Sequence, residues 1–114
     1  MAHIGDYRFG RVDIDGRTYT SDLILLPHRV IENWWREEGH VLHASDLGPV
    51  FELKPEVLIV GQGAYGRMRV PAEARQALAD AGIELVALPT PGACETYNTL
   101  SRARVVAAAL HLTC

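Results

Sequence analysis

Cysteine is scarce in this chain: Cys94 and Cys114 are the only two among 114 residues. One pair cannot build the disulfide framework of a small secreted domain, so a reducing compartment, the cytoplasm, is expected. Long apolar runs are missing as well, and nothing approaches the roughly 20 residues that a membrane-spanning helix needs. The opening residues, Met1-Ala2-His3-Ile4-Gly5-Asp6, lack the basic and apolar regions of a signal peptide. There is no positive excess: the formal net charge is −3, without a run of Lys or Arg. Nucleic acid and anionic membrane are therefore not the expected partners. Repeats, low-complexity tracts and linkers are also absent.

What remains is ordinary globular composition, 48% hydrophobic and 22% charged. It predicts a single domain over residues 1–114, long enough to bury about two thirds of its unfolded surface. The organising stretch runs from Val57 to Asn98. Val57-Leu58-Ile59-Val60 has no polar alternation, as in a strand covered on both faces, and stops at Gly61-Gln62-Gly63. A helix is predicted over Pro71 to Ala81, with Pro71 at its first position, Ala74, Ala77, Leu78 and Ala81 along one stripe, and Gly82 ending it. A second buried strand, Ile83 to Leu88, stops at Pro89-Thr90-Pro91-Gly92. Strand, helix and strand make a βαβ unit with parallel strands and a right-handed crossover. Both strands then end on one edge of the sheet, where open α/β sheets bind ligands.

Ahead of this unit, Tyr7 to Ile14 alternates apolar and polar residues, Asp15-Gly16 suits a type I′ turn, and Arg17 to Thr20 resumes the alternation. These residues predict a β-hairpin, with Gly10 marking a bulge or a close backbone approach. Asp22 to Leu26 is a dense apolar run closed by Pro27, either prolonging the second strand or bending into another. Val30 to Trp35 reads as a strand on its β-branched and aromatic content, which would place one of Trp34 and Trp35 in the core and the other over an edge. Glu37-Glu38-Gly39-His40 is a solvated turn, and Ser45-Asp46 caps a short helix over Leu47 to Leu53 with Pro49 in its first turn. After the βαβ unit a helix is predicted over Ala93 to Arg102 with Tyr97 and Leu100 facing inward. The Ala-rich stretch from Arg104 to Leu112 suits either a continued helix or a final strand.

Thr90-Pro91-Gly92-Ala93-Cys94-Glu95-Thr96-Tyr97-Asn98-Thr99-Leu100, followed by Arg104, resembles the signature of the family called domain of unknown function 498. Gly61 and Gly63, Phe9-Gly10, Trp35-Arg36 and Gly39-His40 match it elsewhere, so the resemblance covers essentially the whole chain. The ending His111-Leu112-Thr113-Cys114 is similar to the family's eukaryotic cytosolic branch. Gln62 departs from a frequent Thr, and Ala103 from a frequent Gly. The resemblance implies a three-layer α/β/α fold with a mixed central sheet, in which the N-terminal hairpin precedes the βαβ unit and a C-terminal helix and strand close the chain. It thereby makes the stretch after Arg104 a strand. It also implies an assembly or interaction protein, an inference by analogy.

Gly61-Gln62-Gly63-Ala64-Tyr65-Gly66 spells G-x-G-x-x-G. A dinucleotide site would also need a helix opening within the motif and a carboxylate at the end of the next strand, and both are missing. The glycines are read instead as allowing a sharp turn and a close neighbour. A possible anion site combines the amides of Gly61, Gln62 and Gly63 with Thr90, Cys94, Tyr97, Asn98 and Arg104, because peptide N–H groups at a helix start attract negative charge. The competing reading has Thr90 capping locally, Tyr97 packing and Asn98 tying the loop to a backbone carbonyl. Cys94 near a helix start could be a nucleophile, yet no base lies close in sequence. The pairs His40/His43 and His111/Cys114 lack a second ligand pair for zinc, so neither metal nor cofactor is expected; Asp46 reads as a helix cap.

The expected function is a cytoplasmic, non-enzymatic interaction or assembly module, monomeric or homodimeric, with a protein partner and an apolar patch involving Trp34 or Trp35 and the hairpin. The alternative is a small-molecule or anion-binding protein, or an enzyme, using the cleft between the Gly61–Gly63 and Thr90–Asn98 segments.

Overall fold

The computed structural model describes residues 2–113. Three antiparallel strands come first, β1 (Ile4–Arg8), β2 (Arg11–Ile14) and β3 (Arg17–Tyr19), forming a small sheet in that order. Asp15 and Gly16 have φ of 50° and 83°, the two positive values that a type I′ turn requires. The strand predicted over Tyr7 to Ile14 is in fact two. Gly10, at φ 80°, reverses the chain so that Arg8 pairs with Arg11. Alternation could not reveal this break, because residues on both sides of the turn keep the same period. The close approach expected at Gly10 is present: its N–H donates to the Leu112 carbonyl at 2.9 Å.

The central sheet has five strands. β4 (Leu23–Leu26) and β5 (Arg29–Ile31) form a hairpin around Pro27, so the apolar run bends into a new sheet rather than prolonging β3. A 3-10 turn (Ala44–Leu47) leads into α1 (Gly48–Leu53), with Pro49 in its first turn. Asp46 accepts the His43 N–H at 2.9 Å, so it closes a capping box on the 3-10 turn rather than capping α1, whose N-cap position is Leu47. Then follow β6 (Val57–Gln62), α2 (Ala72–Asp80), β7 (Glu84–Leu88), α3 (Thr90–Leu100) and β8 (Val106–His111). The order across the sheet is β5-β4-β8-β6-β7; β6 is parallel to both β7 and β8, and β4 is antiparallel to β8.

The Ala-rich end is therefore a strand, and the most central one. Helix propensity of Ala loses there because β8 fills the gap between β4 and β6, completing two hydrogen-bonded ladders at once. β7, predicted as a buried strand, is an edge strand with Glu84 exposed and the other residues half-buried. Trp34 and Trp35 follow β5 rather than belonging to it; Trp34 is buried and Trp35 is 86% exposed.

Alternate residues of each central strand serve two cores. Leu23, Leu25, Val57, Ile59, Val106, Ala108 and Leu110 face α3 and the small sheet, meeting Ala93, Tyr97, Ile4, Val12 and Ile14. Ile24, Leu26, Leu58, Val60, Ala107 and Ala109 face the other way, onto Leu47, Val50, Ala74, Leu78, Met68 and Trp34. The result is three layers, with the small sheet widening one of the outer ones.

Candidate functional site

β6 and β7 end at a shared rim, and the residues after them are tied together. The Thr90 N–H donates to the Gly63 carbonyl at 3.0 Å, and the Gly63 N–H donates to Thr90 Oγ1 at 2.9 Å. The Thr90 hydroxyl in turn donates to the His111 carbonyl at 2.6 Å, drawing the end of β8 into the same knot. Gly61 permits this: a Cβ there would lie 2.9 Å from Thr90 Oγ1 and 3.0 Å from Leu110 Cδ2, closer than real contacts. Leu112 and Thr113 continue the seam. The Leu112 carbonyl accepts the Gly10 N–H and the Tyr7 hydroxyl, and the Thr113 carbonyl accepts the Ala64 N–H at 2.7 Å.

This geometry divides the residues grouped from sequence. Gly61, Gly63 and Thr90 meet, but the Gly63 and Thr90 amides are engaged with each other's loop, not aimed at an open cradle. Gln62 turns to the Met68 carbonyl at 3.0 Å. Thr90 to Asn98 is not a loop: α3 begins at Thr90, three residues earlier than predicted, with Pro91 in its first turn. Asn98 lies two turns further on, where its amide clamps the N–H and carbonyl of Ile4 at 2.8 and 2.7 Å, a backbone tie of the expected kind. Tyr97 is buried in the core. Arg104 is excluded from the group by topology: it precedes β8 and reaches Glu84 at 3.2 Å and Glu56 at 3.6 Å, at the opposite end of the parallel strands.

Cys94 is a buried free thiol. Burial, with the Glu95 carboxylate adding to it, pushes its pKa up to about 12. Iodoacetamide at neutral pH is expected to spare Cys94 in the folded protein and to alkylate it in urea. Peptide mass spectrometry checks this, and rapid labelling of the native chain would contradict it. Cys114, half of the His111/Cys114 spacing, lies outside the described residues. His43 sits between Glu38 at 2.6 Å and Glu73 at 3.1 Å, and these contacts, Glu38 first, raise its pKa.

Two features of the rim escaped sequence reading. The first is a buried polar cluster of Asp22, Arg36 and His111. The register of β4 on β8 pairs Leu23 with Leu110, so the next step sets Asp22 opposite His111. Asp22 Oδ2 lies 2.7 Å from His111 Nδ1 and 2.8 Å from Arg36 Nη2, while Oδ1 accepts the Leu112 N–H at 2.8 Å. Burial by itself would raise the Asp22 carboxyl; the His111, Leu112 and Arg36 hydrogen bonds outweigh it and hold the carboxyl below its usual range. Arg36 stacks over Trp34, 4.7 Å from the ring centre. A signal was available, since Asp22 and His111 are the titratable residues bounding two otherwise apolar strands. The second feature is an exposed aromatic pair: Phe9, 59% exposed, and Tyr65, 71% exposed, have ring centres 6.3 Å apart.

A family model for a protein of unknown function, DUF498/DUF598, matches residues 4–111. The chain belongs to the DUF498 family. Among the family's relatives, NADH dehydrogenase [ubiquinone] 1 alpha subcomplex assembly factor 3 of Danio rerio is 33% identical over 100 residues, 85% of this chain and 56% of that protein. The Homo sapiens protein of the same name is 31% identical over 112 residues, 95% of this chain and 59% of that one. The chain thus spans little more than half the length of either assembly factor. The crystal structure of the conserved hypothetical protein PH1505 from Pyrococcus horikoshii OT3 superposes with a TM-score of 0.83 at 27% identity, covering 97% of this chain and 98% of that one. The DUF498 resemblance and its three-layer mixed sheet are therefore both shown. No helix among the described residues is long and apolar enough to cross a membrane.

Proposed function

We propose that this DUF498 protein is a non-enzymatic interaction module of the assembly type, and that it docks on a protein partner through the rim bearing Phe9 and Tyr65. The observation that carries this reading is the exposed aromatic pair itself. Large aromatic side chains left in solvent are costly unless something covers them, and Tyr, Trp and Arg dominate the energetic centres of interfaces. Phe9 and Tyr65 sit on two tight turns, at Gly10 and Gly66, that the Leu112–Thr113 seam holds in place. They are therefore presented on rigid supports, which lowers the entropy lost on binding. Arg11 and Arg67 flank the pair, both exposed and without a carboxylate partner among the described residues. Relatives that bear the name assembly factor support the same reading. A buried free thiol suits a reducing compartment, and the cytoplasm is the one proposed.

The test compares partners retained by tagged protein. The double variant Phe9→Ser/Tyr65→Ser is expected to lose its specific partner at least about tenfold, an effect typical of removing interface anchors. Val105→Ser, which changes an exposed apolar residue at the opposite end of the sheet, should leave binding unchanged. Equal recovery of the partner by the double variant would remove the rim from consideration.

A further inference from the structure

The formal net charge of the chain is −3, yet the rim around Phe9 and Tyr65 has the opposite sign. The two segments that build it, residues 7–12 and 57–72, contain Arg8, Arg11, Arg67 and Arg69 and no Asp or Glu. Arg8 is neutralised by Asp6 at 2.9 Å. Arg11, Arg67 and Arg69 are exposed and have no carboxylate partner among the described residues. Arg67 and Arg69 alternate with buried Met68 and Val70, so both point outward from one side of the chain, roughly 7 Å apart. The backbone beneath them is tied down. The Met68 N–H donates to the Gln62 carbonyl at 3.0 Å and the Arg69 N–H to the His40 carbonyl at 2.8 Å.

The carboxylates that approach this stretch are engaged elsewhere: Glu38 and Glu73 hold His43 at 2.6 and 3.1 Å. Glu95 lines a cleft with Arg8 and Phe9 on the α3 side. The Tyr65 side of the aromatic pair is therefore the positive one. Free guanidinium groups next to exposed aromatic rings complement carboxylates next to an apolar side chain, because Arg pairs two-pronged with a carboxylate. Nucleic acid and lipid fit less well. Both bind through a broad positive field, which a net negative chain does not supply. The two rings are also inclined at 42° to each other, so they do not form one flat platform for a stacked base.

We infer that the partner segment seated on this rim is an acidic peptide with one large apolar side chain. The apolar side chain lies against Phe9 and Tyr65, and the carboxylates pair with Arg67 and Arg69, with Arg11 contributing from the Phe9 side. This inference rests on the reading of the rim as a docking surface and adds the chemistry of what docks.

The experiment selects binders to the intact chain from a random peptide library displayed on phage. The best synthetic peptide is then measured by fluorescence anisotropy. The selected peptides should carry an excess of Asp and Glu around a Leu, Ile, Phe or Trp. Affinity should fall steeply between ~50 and ~500 mM salt. Arg67→Gln/Arg69→Gln should weaken the peptide at least about tenfold with an unchanged Tm, since neither side chain supports the fold. Arg67→Glu/Arg69→Glu should reverse the preference, favouring a version of the peptide with Lys in place of its acids. Selected peptides that are neutral or basic would overturn the inference, as would an arginine variant that binds the acidic peptide unchanged. Tighter binding of poly-uridine, or of phosphatidylcholine vesicles containing phosphatidylserine, would overturn it too. Phe9→Ser/Tyr65→Ser separates the two claims: if it loses the selected peptide while the arginine variants keep it, the docking surface stands and the acidic partner falls.

Discussion

Arg36→Met should lower the stability of the folded chain by about 3 kcal/mol, the low end of what removing one member of a buried ion pair costs. The substitution preserves much of the side chain's volume but strands the Asp22 carboxylate and ends the stacking on Trp34. The low end applies because Asp22 is about a fifth exposed and keeps its Leu112 and His111 contacts. The same cluster gives the protein an acid-sensitive component. A carboxyl held below its usual pKa in the folded state contributes stability above the unfolded value, near pH 4, and that contribution disappears as pH falls through the lowered folded value. Urea midpoints measured from pH 6 down to pH 3 should therefore fall more steeply for the native sequence than for Asp22→Asn. Parallel pH profiles for the two proteins, or an Arg36→Met midpoint equal to the native one, would refute this account.

Thr90→Val is expected to cost about 2–6 kcal/mol, although valine matches threonine in shape. The Thr90 hydroxyl is fully buried and satisfies two main-chain groups, the Gly63 N–H and the His111 carbonyl. Valine leaves both without partners, at about 1–3 kcal/mol each. Set against the 5–15 kcal/mol typical of a small domain, that is a substantial share. Thr90→Ser supplies the contrast, since it keeps the hydroxyl and loses only a methyl worth about 1 kcal/mol. Chemical denaturation of the three proteins, with amide exchange at Gly63, decides the matter. A valine variant no weaker than the serine one would show that the rim is held by packing alone.

The parts of this fold that could be read from sequence are those decided within a few residues. Asp15-Gly16 fixes its turn by chain sterics, and Val57 to Val60 announces a strand sheltered on both faces by lacking any polar residue. Gly82 ends α2 for a similarly local reason, its φ of 75°. What depended on distant partners was not readable. Ala107 to Ala109 carries a helical composition and becomes a strand because two other strands are waiting for it. Thr90, placed in a loop from sequence, starts a helix whose first residue is anchored by β6 and β8. Arg104 joined the candidate site on paper because nothing in the sequence says that it enters β8 from the far end. Arg36 entered the sequence reading only through the Trp35-Arg36 match to the family, and only the turn that brings it beneath Asp22 and His111 makes it part of the interior.

The position of β8 has a consequence for how the molecule comes into being. Among the described elements it is the last along the chain, yet it separates β5–β4 from β6–β7. During synthesis the two halves of the sheet have no common border until that strand leaves the ribosome. Each must wait with an open ladder of amides and carbonyls, exposed to any other extended peptide nearby. Closure is then a single late event, in which β8 zips six residues onto β6 and three onto β4 and covers two hydrophobic faces at one stroke.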